Sequence, residues 1–447
     1  IETRNAYVPI NKQKVLIKKY GLFQEKDCPN ANYIMDNGFY LPSGNNIKNK
    51  EIDLGGKEEE VAATLNGHLL NYNNTWDKID NMLRDILSED YKKKYNDSFG
   101  NGWIFNWHCI DHVGYKINPR RRTMGYHNIF DHYRDIVKEF SISEDTINWH
   151  FHPMSTYNEA HRCATSYVNS PELYQILCRK IIERNWFPSV FRAGFQSERP
   201  DSNWFLEQWI PFDISSMSVE NVDELNKNID FKNGRSGDWR LATKEWEVYH
   251  PSHDNYQVRG NCRRWIGRAL NPLNRIGAMD QFEMDKAFKR ADSELPTLVG
   301  LASHDFRDLR NEVAFIWELI ENSQKKYPDV KFRYCNSLEG FRNVIEVDYR
   351  KIEPVKLEVI LKRDPQDDFP NLTINTLQGK VFGPQPFLAI ETVSRRFIHD
   401  NLDFSPDGES WHYAFHTDTL PIADVKNIGI ATNDKVGNTF IKVLNVN

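Results

Sequence analysis

Half of the fourteen histidines (His108, His112, His127, His132, His150, His152 and His161) fall within 54 residues, about an eighth of the chain. Histidine is the commonest metal ligand, and its ordinary titration lies near neutral pH, so this concentration calls for a chemical reason. His150 and His152 stand two apart in Thr146-Ile147-Asn148-Trp149-His150-Phe151-His152, and on a strand both side chains project from one face. Two imidazoles joined by a carboxylate from a neighbouring strand end make a three-ligand site with an open position. Zinc uses such an arrangement to bring bound water to a pKa of about 7. Asp111, in His108-Cys109-Ile110-Asp111-His112, offers that carboxylate, and His161 lies nine residues past His152. The competing account of either member of the pair is a core histidine bonded to backbone; a whole cluster of imidazoles beside aromatic strands needs partners.

Other strand ends are polar too. Asn66-Gly67-His68 follows one apolar run, and Ser303-His304-Asp305 follows another. Phe191-Arg192-Ala193-Gly194 leads into Phe195-Gln196-Ser197-Glu198-Arg199-Pro200. An arginine at a strand end can hold a carboxylate, orient an acid or stabilise an oxyanion; the alternative is a solvated loop charge. His68, His112, Trp149, Glu198 and Arg199 sit at or beside these ends and are the candidates for holding substrate. Trp149, Trp186, Trp204 and Trp209 would suit stacking on sugar faces, or would simply fill a core.

The elements that must position these groups alternate between strand and helix from about residue 60. The pattern predicts strands at 60–65, 103–107, 146–152, 189–192, 298–302 and 330–334. Helices are expected at 75–88, capped by Thr75, at 129–140 and 173–183, then from about 302 through Glu321, with a last one opening at Ser337. That alternation means a parallel sheet covered by helices, with working groups at the carboxyl ends of strands. Residues 205–295 show no clear repeat of the unit and read as an insertion. After about 349 the helices stop, and six strand-like runs separated by Pro, Asp, Asn and Gly describe an antiparallel sandwich, in which Trp411 and His412 are exposed candidates for sugar binding. Residues 1–58 read as an N-terminal extension of short strands and loops.

Composition narrows the function. The 57 basic and 63 acidic side chains give a net charge of −6, which argues against a nucleic-acid partner held by counterion release. No run approaches eighteen apolar residues, so no membrane span is expected. Six cysteines without a C-x-x-C pair argue against a zinc ribbon and are compatible with a reducing, cytoplasmic setting. The chain opens at Ile1 rather than Met, which leaves room for a removed leader.

In their order these pieces resemble the polysaccharide deacetylase superfamily over about 60–345. Val61-Ala62-Ala63-Thr64-Leu65-Asn66-Gly67-His68 stands where that family has an acidic first motif, with Asn66 and Gly67 in place of both acids. Trp149-His150-Phe151-His152-Pro153 resembles the histidine motif in position though not in spacing, and Phe191-Arg192-Ala193-Gly194 resembles the arginine motif without its proline. Leu301-Ala302-Ser303-His304-Asp305 and Phe332-Arg333-Tyr334-Cys335-Asn336-Ser337-Leu338 resemble the last two.

The resemblance implies an α/β fold, a distorted (β/α)7 barrel over 59–348, followed by the β-sandwich over 349–447. It implies a metal-dependent hydrolase that removes an acetyl group from a glycan or glycan precursor, in the setting of surface polysaccharide biosynthesis. Zinc or a similar divalent ion would be held by Asp111, His152 and His161, with His150 competing. His304 would be the general acid, and Arg192 would orient the base. An asparagine cannot act as a base, so the first-strand substitutions leave Asp111 to supply that function or a ligand. The same substitutions favour the alternative of a non-catalytic glycan-binding protein on a degenerate barrel. An amidohydrolase-like barrel ranks lower, because that family carries H-x-H on its first strand and here it comes on about the third.

Overall fold

The computed structural model describes residues 4–5, 39–40, 73, 76–111, 126–140, 144–152, 166–168, 170–220, 237–273, 277–363 and 369–446. Two compact units divide the chain, Ile1–Ile52 and Asp53–Asn447. In the first, β1 (Arg4–Asn5) pairs antiparallel with β2 (Phe39–Tyr40). The strand expected at 60–65 and the Thr75 cap lie outside the described residues.

The second unit is built on a parallel sheet of six strands in chain order: β3 (Asn106–Ile110), β4 (Thr146–Phe151), β5 (Val190–Ala193), β6 (Phe212–Ser216), β7 (Trp265–Leu270) and β8 (Gly300–Leu301). The sheet curls into a half-barrel. Its central strands are buried on both faces, β5 and β6 at every residue, as parallel strands flanked by helices must be. On β4 the two faces carry different chemistry. Trp149 and Phe151 join a core with Leu173, Ile176 and Leu177 of the Pro171–Arg184 helix, while Asn148 and His150 point the other way. That helix begins with Pro171 in its first turn and ends at Asn185, whose left-handed backbone (φ 51°) stops it.

Two expectations change here. Residues 205–295 are not an insertion beside the sheet, since they supply β6 and β7. Their periodicity was hidden because Phe212-Asp213-Ile214-Ser215-Ser216 buries polar residues that a hydrophobic pattern does not count. The last strand of the alternation, expected at 330–334, forms no ladder. Phe332 N–H donates to Ser98 Oγ (3.1 Å) and Tyr334 N–H to Asp97 Oδ2 (3.2 Å), so this segment is bonded to a loop.

The C-terminal region matches its prediction more closely. One antiparallel sheet has the order β13 (Asp403–Phe404), β14 (Ser410–Ala414), β10 (Asn371–Gln378), β9 (Lys356–Lys362). The other has β12 (Phe397–Asp400), β11 (Phe387–Thr392), β15 (Val425–Asn433), β16 (Thr439–Asn445). Leu357, Leu372 and Ile374 of the first share a core with Leu388, Ile390, Ile428 and Ile430 of the second. Trp411 is buried in this core and its indole N–H donates to the Pro384 carbonyl (3.0 Å), so it is not an exposed sugar platform; His412 is exposed. The outer face of the β11 sheet packs on the Pro171–Arg184 helix, where Phe387, Ala389 and Ala431 join the core of Trp149 and Phe191.

Candidate functional site

The curl of the sheet encloses a cavity of about 640 Å³. His108, His150, His152, Arg192, His304 and Asp305 line it, together with Asn271, Ser303 and an aromatic wall of Trp103, Phe105, Trp107 and Tyr334. Apart from His108, which lies within β3, each polar group arrives from near the end of a strand or the residues just after it. Four of the expected residues, His150, His152, Arg192 and His304, therefore face one space.

The centre of the site is the histidine pair. His150 Nδ1 lies 2.8 Å from the Arg192 carbonyl oxygen. A carbonyl only accepts, so Nδ1 carries the proton and Nε2 keeps a lone pair. That Nε2 faces His152 Nε2 at 2.9 Å, with the rings edge to face at a centroid separation of 4.7 Å. Burial, with His152, Arg192 and His108 nearby, holds the His150 pKa well below the ordinary histidine range. His108, half-buried and facing the cavity, is pushed down to about 3, first by desolvation and then by the Arg192 guanidinium. Both rings are therefore neutral at physiological pH, the form that binds metals.

The loop after β5 fixes this geometry. A Cβ on Gly194 would overlap the His152 ring and crowd its backbone, so only glycine lets the ring approach. Phe195 and Gln196 follow with left-handed backbones (φ 53° and 52°), an uncommon conformation for such residues and a strained one. The strain is held by Gly237 N–H donating to Phe195 O (2.8 Å) and Trp239 Nε1–H donating to Gln196 O (2.8 Å). Phe195 stands edge-on to His152 at 4.7 Å. With its amide turned to satisfy both ends, Gln196 accepts from Arg192 Nη2 (2.5 Å) and donates to Phe195 O (3.1 Å). Across the cavity, Tyr133 Oη–H donates to Asp305 Oδ2 (2.5 Å), and His304 stacks on Phe306.

Other expected residues go elsewhere. Asp111 does not join the imidazoles. Its carboxylate pairs with Lys180 Nζ (3.0 Å), both side chains almost fully enclosed, on the helix-covered side of the sheet. The Lys180 ammonium also sits over the Phe130 ring. The reason is alternation: β3 runs on to Ile110, so 108–110 lie within the strand and Asp111 falls on the face opposite His108. Desolvation raises Asp111 to about 6, against the opposing pull of Lys180. Trp149 is a core residue packed on Phe151, Phe191 and Phe205, not a substrate platform. Glu198 is buried with Asp213 on either side of Arg264, each 2.7 Å from a guanidinium nitrogen. Arg199 starts the Pro200–Trp209 helix, its N–H donating to Ser202 Oγ (2.9 Å) and its Nη1 to the Glu198 carbonyl (2.7 Å). Neither Glu198 nor Arg199 lines the cavity. His68, His112 and His161 lie outside the described residues.

Among the described residues, three potential metal ligands come together in one place, Glu207, His253 and Cys262, whose ligating atoms all lie within 4.8 Å of one another. This group is not in the cavity, and no spacing between its members announces it. His108 and Asp305 were also missed as cavity residues; alternation on β3, once its register is right, marks His108.

In the cavity the fit to a metal is partial. His150 meets the usual requirement that a ligating imidazole donate its other N–H to a fixed acceptor. Two imidazole nitrogens on one tetrahedral zinc stand roughly 3.3 Å apart, so the observed pair would need to open by a few tenths of an ångström. No helix among the described residues is long and apolar enough to cross a membrane. No family model, curated protein or solved structure matches the chain.

Proposed function

We propose that the protein is a metal-dependent hydrolase that removes an acyl group from a carbohydrate, with the reaction in the half-barrel cavity. The observation that carries this reading is the His150–His152 pair, two inward-facing Nε2 atoms 2.9 Å apart at strand ends, with the Arg192 guanidinium and His304 lining the same space. His150 and His152 would hold a zinc-type ion, with His161 as the further ligand that the sequence offers. When bound, such an ion supplies Lewis acidity toward the acyl carbonyl. Arg192, kept in place by Gln196, would stabilise the negative charge that develops on the carbonyl oxygen. Asp305 takes over the role expected of Asp111: its carboxylate lines the cavity, positioned by Tyr133, and would accept the proton of the attacking water. His304 would deliver a proton to the departing amine or alkoxide. The aromatic wall, in which Phe105 stacks on Trp107 at 5.3 Å, suits a sugar face. The acetylated glycan and a place in surface polysaccharide biosynthesis rest on the family resemblance, and a cytoplasmic setting on the six cysteines without a C-x-x-C pair.

The test is release of acetate from N- and O-acetylated oligosaccharides by metal-reconstituted protein. His304→Ala and Asp305→Asn should each lower turnover by about 10²–10⁴-fold with substrate binding retained. If no acetylated glycan is turned over with zinc, cobalt, manganese or nickel supplied, the reading fails.

A second reading, a non-catalytic glycan-binding protein, is favoured by one fact: among the described residues no three ligand atoms converge inside the cavity. It predicts glycan binding that survives His152→Ala and His304→Ala, with no turnover in either form.

A further inference from the structure

We infer that Glu207, His253 and Cys262 form a separate centre for a zinc-class divalent ion, tying the end of the Pro200–Trp209 helix to the loop that enters β7. The inference is independent of the proposed hydrolase and of the cavity.

Three separate pieces of chain deliver the ligands. Glu207 lies in the last turn of the helix. His253 lies in a loop closed by the Pro251–Arg259 bridge, with Ser252 N–H donating to Val258 O (2.7 Å) and Gly260 N–H to His250 O (2.8 Å). Cys262 is tied to the same loop by its own N–H on the Pro251 carbonyl (3.0 Å). Glu207 Oε2 is 3.1 Å from His253 Nδ1 and 3.3 Å from Cys262 Sγ. Ligand atoms at zinc's usual bond lengths of about 2.0–2.3 Å are separated by roughly 3.3–3.8 Å in a tetrahedron, so small adjustments bring all three onto one ion.

The ligands are also held in position from behind. The His253 ring stacks on Trp204 at 5.8 Å and 18°. The His253 carbonyl accepts from Trp204 Nε1 (3.0 Å) and Asn203 Nδ2 (2.8 Å). This fixes the loop whose imidazole presents Nδ1 to Glu207. Cys262 is buried, whereas the His253 side chain is 60% exposed, so an ion has a route from solvent and water can fill a fourth position. The donor set decides the class of ion. A thiolate with an imidazole and one carboxylate suits zinc and cobalt, and disfavours magnesium, calcium and manganese, which prefer oxygen.

Two neighbouring cations need accounting for. Arg264 is occupied by Glu198, Asp213 and Asn203, and does not compete for Glu207. Arg263 stands 3.8 Å from Glu207 Oε1, but its side chain is half exposed and can turn to water. The loop leads straight into Arg264, so an ion here anchors the stretch that carries the buried Glu198–Arg264–Asp213 trio.

The experiment uses the full chain, reduced and stripped of metal, titrated with Co²⁺. A thiolate-to-cobalt charge-transfer band should grow in the near ultraviolet, saturate at one equivalent and be bleached by zinc. It should vanish in Cys262→Ser, and half-saturation should rise by roughly a hundredfold in His253→Ala, an exposed position whose loss leaves the fold intact. The band should be unchanged in His152→Ala, which separates this centre from any ion in the cavity. Absence of the band from the parent protein, its persistence in Cys262→Ser, or unchanged affinity in His253→Ala would each overturn the inference.

Discussion

Lys180 shows how one side chain can matter far from the reacting groups. It neutralises Asp111 where water does not reach, so Lys180→Met leaves a carboxylate with no counter-charge. Breaking such a pair costs roughly 3–5 kcal/mol. Desolvation pushes the Asp111 carboxyl up to about 6 from its ordinary 3.8, so between these pH values the native form holds a proton that the unfolded chain has released. Stability tied to that proton is present below 3.8 and is lost as pH rises through 6. Removing Lys180 raises the folded value further, so the variant should lose more stability at pH 8 than at pH 5. Urea unfolding at the two pH values checks this, and adding Asp111→Asn should restore most of the loss. His108 carries the opposite sign. Its folded value of about 3 lies below the unfolded 6.5, so its contribution is complete above 6.5 and is lost as pH falls toward 3. Against His108→Gln, which does not titrate, the parent should lose about 1.4 kcal/mol per pH unit across that window.

Elements decide which of the legible residues could meet. The H-x-H pattern was sufficient to place His150 and His152 on one face, because strand parity is local. It was not sufficient for Asp111, because β3 runs Asn106–Ile110, so Asp111 follows directly on the strand and alternation sets it on the face opposite His108. The half-barrel was legible as strand–helix alternation, except where β6 buries an aspartate and two serines among apolar residues and so breaks the hydrophobic signal. The Glu207–His253–Cys262 group was illegible for another reason: its members are brought together by tertiary closure of a loop on a helix, which no spacing announces. The loop after β5 yields a sharper test. Gly194→Ala should force the His152 ring out of line with His150 while leaving the strands intact. The expected result is unchanged far-ultraviolet circular dichroism with acetate release reduced by about a hundredfold. Retention of full turnover would show that the pair's alignment is irrelevant to the reaction.

At the scale of the whole molecule, the sandwich supports the half-barrel. Its strand pattern was readable because alternating residues and turn chemistry repeat at short intervals, but nothing local showed which face it turns to the parallel sheet. Asn433, at the end of β15, donates from one amide to both the Pro188 carbonyl (2.8 Å) and the Trp209 carbonyl (2.9 Å). Asn433→Ala leaves those buried acceptors unmet and should destabilise the protein by roughly 1–3 kcal/mol, with a single cooperative transition in calorimetry. Two separate transitions, with only one displaced, would show that the sandwich and the half-barrel melt independently. The Pro171–Arg184 helix has a further consequence for how the chain is made. Its outer face is covered by Phe387, Ala389 and Ala431, some two hundred residues further along, so on the ribosome that face emerges long before its cover exists. The nascent half-barrel must therefore wait with a sticky flank, a hazard that chaperones exist to shield, until residues 387–431 have been made.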